Sequence, residues 1–81
     1  MIETADKLFR RAALALERGN NSGNSAALKR GEKQCDACRV RAEKLLEPLG
    51  IEVDYPGLYP SFMVKGHSCH TTESAVSLAL E

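Results

Sequence analysis

Between Ser25 and Gly50 the chain reads SAALKRGEKQCDACRVRAEKLLEPLG, its longest periodic run of apolar and small positions. Placed at about 100° per residue, Leu28, Gly31, Cys35, Cys38, Ala42, Leu45, Leu46 and Leu49 fall in one stripe. Steps of three and four residues hold that stripe on one face, so the segment predicts an amphipathic helix with its thiols turned toward a core. Ser25 or Asn24 can accept the first free backbone N–H groups as an N-cap. Pro48 disfavours helical geometry at Glu47, and Gly50 lets the chain turn, which predicts a stop near residues 46–48. At 1.5 Å per residue such a helix is about 33 Å long. Gly31 costs about 1 kcal/mol relative to Ala inside a helix. It marks either a close neighbour or a frayed start.

Upstream, Ala5, Leu8, Phe9, Ala12 and Leu16 share a face and predict a first helix over residues 3–18. Thr4 is the expected cap and Gly19 the expected end. GNNSGNS, residues 19–25, reads as a short loop that makes the two helices antiparallel neighbours.

After Gly50 the period changes from about 3.6 to 2. Ile51, Val53 and Tyr55 alternate with Glu52 and Asp54, which predicts a half-buried strand. YPGLYP, residues 55–60, predicts a wide loop, because a type II turn at Pro56-Gly57 matches strand twist poorly. SFMV, residues 61–64, is a second strand, Lys65-Gly66 a two-residue turn, and HSCHT the return. That hairpin sets Val64 opposite His67 and Phe62 opposite Cys69. Thr71 or Thr72 caps a last helix through residue 80, with Ala75, Val76, Ala79 and Leu80 as its apolar face. The expected fold is α+β: a helical hairpin and a short C-terminal helix packed on a small antiparallel three-stranded meander, in the order ααβββα.

Composition narrows the function. A chain of 81 residues makes one small domain, residues 1–81. No stretch is apolar enough for a membrane span, and Asp6, Lys7, Arg10 and Arg11 interrupt any signal-peptide core. A cytoplasmic protein with no membrane partner is expected, and its three cysteines read as thiols or metal ligands rather than disulfides. Net charge is zero, yet residues 1–47 hold ten of the eleven Lys and Arg and residues 48–81 only Lys65.

Two constellations could carry chemistry. Cys35 and Cys38 face the core from the long helix, and His67 and Cys69 share a strand face with Phe62 and Val64. If those faces meet, three thiolates and one imidazole form a Cys3His ligand set for zinc, and the protein is a zinc-stabilised binding module. The plainer reading is core packing without a cofactor, since free Cys is among the most buried residue types.

The second constellation is a surface. Lys7, Arg11, Leu14 and Arg18 form a stripe away from the first helix's core face. On the long helix Lys33, Ala37, Val40 and Lys44 do the same, flanked by Lys29, Arg30 and Arg41. An aliphatic residue among basic ones suits an acidic partner, with charge steering encounter and the apolar anchor contributing affinity. Tyr55 and Tyr59, in a loop stiffened by prolines, offer a rigid contact surface, or else serve as a lid on the sheet. A nucleic-acid backbone is a weaker candidate, because net charge is zero and no aromatics interleave the basic residues. A homodimer through Leu14 and Val40 is a third arrangement. No P-loop, nucleotide-binding glycine pattern or HExxH is present, so no enzyme is expected. The resulting expectation is a small non-enzymatic interaction protein that binds a protein partner through its basic outer helix faces. Its size is common among accessory or phage-derived bacterial proteins, an association only.

Overall fold

The structure is a computed structural model and describes residues 2–81. The chain forms α1 (Ile2–Asn21), α2 (Ser25–Leu46), a single 3₁₀ turn (Glu47–Leu49), β1 (Glu52–Asp54), β2 (Ser61–Val64), β3 (His67–Cys69) and α3 (Thr72–Ala79). This is the α+β order expected from the sequence, with the strands in an antiparallel sheet β1-β2-β3.

Helix α2 starts where polar chemistry allows. The Asn24 side chain, not Ser25, accepts from the backbone N–H groups of Ala26 and Ala27. At the other end Pro48 converts the last turn to 3₁₀, and Gly50 closes it at φ 75°, a conformation that suits glycine. Helix α1 differs from expectation at both ends. It already runs at Ile2, so Thr4 lies inside it rather than capping it, and it passes through Gly19 to Asn21. The loop shrinks to residues 22–24.

Gly19 and Gly31 explain the extension. An ideal Cβ built on Gly31 would lie 2.5 Å from the Ala15 carbonyl oxygen and 3.3 Å from the Gly19 Cα. One on Gly19 would lie 3.2 Å from the Leu28 Cα. The two backbones touch here, and glycine serves packing rather than termination. The frayed start is thereby excluded. Ala15 meets Gly31 and Gly19 meets Leu28, so the helices run antiparallel, as their short loop requires.

The core cluster takes Ala5, Leu8, Phe9 and Ala12 from α1 and Cys35, Cys38, Ala42 and Leu46 from α2. These pack on Ile51, Phe62, Val64, Ala75 and Val76. Phe9 meets Phe62 edge-on, with ring centroids 5.6 Å apart. The buried Ala13, Ala15, Gly19 and Gly31 lie outside this cluster. Sheet and α3 therefore cover one end of the helical hairpin, and its outer turns stand beyond them. The longest dimension, 45 Å against 19 and 15 Å for the others, reflects that projection.

The β2–β3 register agrees with the sequence reading: Phe62 pairs with Cys69, Met63 with Ser68, and Val64 with His67. Lys65 and Gly66 both take positive φ, 52° and 80°, as a two-residue turn with the sheet's twist demands. Strand β3 stops at Cys69, two residues short of expectation. Helix α3 is capped by the Thr71 hydroxyl. Thr72 is instead buried, and its hydroxyl donates to the Asp6 carboxylate at 2.8 Å, tying α3 to α1. Leu80, expected on the buried face, is exposed because the helix ends at Ala79.

Replacing Gly31 by Ala should lower stability by about 1–3 kcal/mol, since backbone must move aside, despite alanine's better helix propensity. Thermal unfolding reads this as a fall of roughly 4–8 °C per kcal/mol. Gly57→Ala, with nothing within 4 Å of the added Cβ, should stay within about 0.5 kcal/mol of wild type. Equal midpoints for all three proteins would mean that α1 and α2 do not touch at Gly31.

Candidate functional site

The close approach of α1 and α2 shapes a groove of about 540 Å³ along the outer hairpin. Its floor is small because the helices meet there: Ala15 and Gly19 from α1, Ala27 and Gly31 from α2. Arg11, Leu14 and Arg18, spaced three, four and seven apart, form one wall. Arg30 and Gln34 stand on the other. No carboxylate lines the groove among the described residues. Three guanidinium groups, charged at any physiological pH, thus ring one apolar side chain, Leu14, which is 45% exposed. Their planar forks suit carboxylate acceptors.

Three of the sequence-derived candidates, Arg11, Leu14 and Arg18, come together here. Lys7, Lys33, Val40, Arg41 and Lys44 are exposed but lie outside the groove lining. Val40 is 49% exposed. Arg30, expected only as a flank of the long helix's outer stripe, and Gln34, which no sequence signal marked, complete the groove, because their part depends on how the two helices are rotated against each other.

The tyrosines separate into two roles. Tyr59 is 64% exposed and free to make contacts. Tyr55 is a half-buried lid: its ring packs on Phe9 at 6.4 Å between centroids, and the Arg39 guanidinium carbon sits 4.0 Å over its centroid. Arg39 also donates to the Leu58 carbonyl at 3.4 Å, which anchors the 55–60 loop to α2. No sequence signal marked Arg39. The Tyr55 hydroxyl is buried and makes no hydrogen bond, although the Glu43 carboxylate is near. Burial first and Glu43 second push its ionisation well above the ordinary phenol range.

The thiols and imidazoles are dispersed. Cys35 and Cys38 are buried, Cys69 is half-buried, and His67 and His70 are exposed. The zinc reading needs His67, on the strand face of Val64, to meet the core. It sits at the end of the sheet beside the turn, where nothing covers it. Among the described residues no three His, Cys, Asp or Glu side chains are gathered as a metal site, so Cys35, Cys38, His67 and Cys69 do not converge in this structure. Burial pushes the Cys35 thiol up, the Arg39 charge opposes this, and Asp36 and Cys38 add to the rise.

The outer sheet face is the opposite in charge. Glu52 pairs with Met63 and Asp54 with Ser61, and a hollow of about 420 Å³ runs over them. Met63 is 44% exposed. Searches against protein-family models, curated proteins and solved structures find no match to this chain. Among the described residues no helix is long and apolar enough to cross a membrane.

Two measurements follow from these environments. Cys35 and Tyr55 are harder to ionise folded than unfolded, so their stabilising effect is complete below the ordinary thiol value of 9.0. It is lost as pH rises toward their folded values. The thermal midpoint should fall as pH rises above 9.0, where Cys35→Ala flattens the slope, and further above 10.0, where Tyr55→Phe flattens it. Secondly, the Leu14→Asp, Val40→Asp double variant should unfold within about 1 kcal/mol of wild type, because both side chains are exposed. A larger loss in calorimetry would mean that these residues are packed.

Proposed function

We propose that this protein is a small non-enzymatic interaction protein that docks an acidic protein partner through the basic outer faces of its helical hairpin. The observation that carries this reading is the groove between α1 and α2. An exposed leucine at the wall of a small-residue trough, lined by three arginines and no carboxylate, suits an apolar side chain flanked by Asp or Glu. Long-range attraction would raise the encounter rate, and water would leave Leu14 as the surfaces close. Tyr59, exposed on the 55–60 loop, offers a further aromatic contact. Three free thiols fit a reducing compartment such as the cytoplasm.

The test is affinity capture with tagged wild type and with the R11E/L14D/R18E variant at low protein concentration. Proteins retained by wild type should fall at least about tenfold with the variant and also in about 0.5 M salt, because both weaken charge complementarity. The two proteins should share one thermal midpoint within a few degrees. Capture that ignores both the substitutions and the salt would overturn the reading. So would retention that disappears on nuclease treatment.

A further inference from the structure

The groove has a chemical counterpart on the same molecule. In the groove Leu14 stands between Arg11 and Arg18, with Arg30 across from it. On the outer face of the sheet Met63 stands beside Glu52, with Asp54 two residues further along β1. Leu14 and Met63 are almost equally exposed, at 45% and 44%. The groove lining thus holds one exposed apolar side chain with basic groups only, the sheet hollow one with acidic groups only, so the two linings are opposite in sign.

We infer that the occupant of the groove is a second copy of this chain, whose Glu52, Asp54 and Met63 seat on Arg11, Leu14, Arg18 and Arg30. This rests on the reading that the groove docks protein, and it names that protein. The spacing is compatible. Glu52 and Asp54 point the same way about 6.6–6.8 Å apart on a strand. Arg11 and Arg18 lie about 10.5 Å apart on a helix, and their flexible stems span the difference. Met63 has three rotatable bonds and adapts to a shallow trough. One molecule cannot satisfy itself, because its sheet packs on the opposite end of the hairpin from the groove. Net charge is zero, so two copies meet without overall repulsion while their charged ends attract. A reciprocal antiparallel pair uses both contacts and closes as a dimer, whereas a one-sided contact repeats into a chain.

The experiment is sedimentation velocity on the whole protein across about 1–200 μM, at about 50 mM and about 500 mM salt, a range over which charge pairs are progressively screened. Wild type should associate at low salt and weaken at least about tenfold at high salt. R11E/R18E and E52K/D54K should each sediment as monomers, and an equimolar mixture of the two should associate again. That recovery excludes misfolding as the cause of either loss. R10E/K29E, with the same charge change outside the groove, should associate as wild type does. A monomer under all conditions would overturn the second copy as occupant and leave the groove itself to the capture experiment. Association that R11E/R18E leaves intact, a mixture that stays monomeric, or equal loss with R10E/K29E would also overturn it.

Discussion

The rest of the structure depends on one contact: the backbone of Gly31 against the carbonyl of Ala15. Only hydrogen fits in the place of a Cβ there, so the axes of α1 and α2 come closer than ordinary side chains allow. That closeness buries Ala15, Gly19 and Gly31 without help from sheet or α3. It lets a two-helix projection exist beyond the core. It also fixes the rotation of both helices, which turns Arg11, Leu14, Arg18 and Arg30 outward around a shallow floor. Packing and the candidate site are therefore consequences of one steric fact.

The two ends of the molecule are held by different physics. At the covered end, aromatic and aliphatic burial dominates: Phe9, Phe62, Leu46 and Val64 fill the space between hairpin and sheet. A part-buried hydroxyl–carboxylate bond from Thr72 to Asp6 fixes α3 in addition. At the projecting end there is little apolar mass to bury, and small residues in contact replace it. An end of this kind resists wetting only through close fit, which leaves its outer surface available for long charged side chains. The two hollows differ in charge along the same division: the hairpin groove is lined by arginines, and the sheet's outer hollow by Glu52 and Asp54.

What was legible in the sequence followed local rules. The two helices, three strands and third helix came from periodicity, and the β2–β3 register came from Lys65-Gly66, whose turn type fixes which residues face each other. What was not legible depended on pairs of distant segments. Gly19 looks like a helix end by itself and becomes a packing residue only once Leu28 is across from it. His67 shares a strand face with Val64, but the sheet is too short to cover it. Thr72 looks like one of two caps until Asp6 is beside it. The site divides in the same way. The Arg11, Leu14, Arg18 stripe is a property of one helix and could be read from spacing. Arg30, Gln34 and the groove between them belong to the pair, and Arg39 matters only because the 55–60 loop folds over it.

The central claim is that backbone meets backbone at Gly31, and proton–proton contacts in solution test it without altering the chain. In a nuclear Overhauser spectrum of the whole protein, the Cα protons of Gly31 should show a cross-peak to those of Gly19, whose Cα lies 3.3 Å from the Cβ direction of Gly31. Absence of that cross-peak, with both helices otherwise intact by their sequential patterns, would separate the helices there and remove the groove with them.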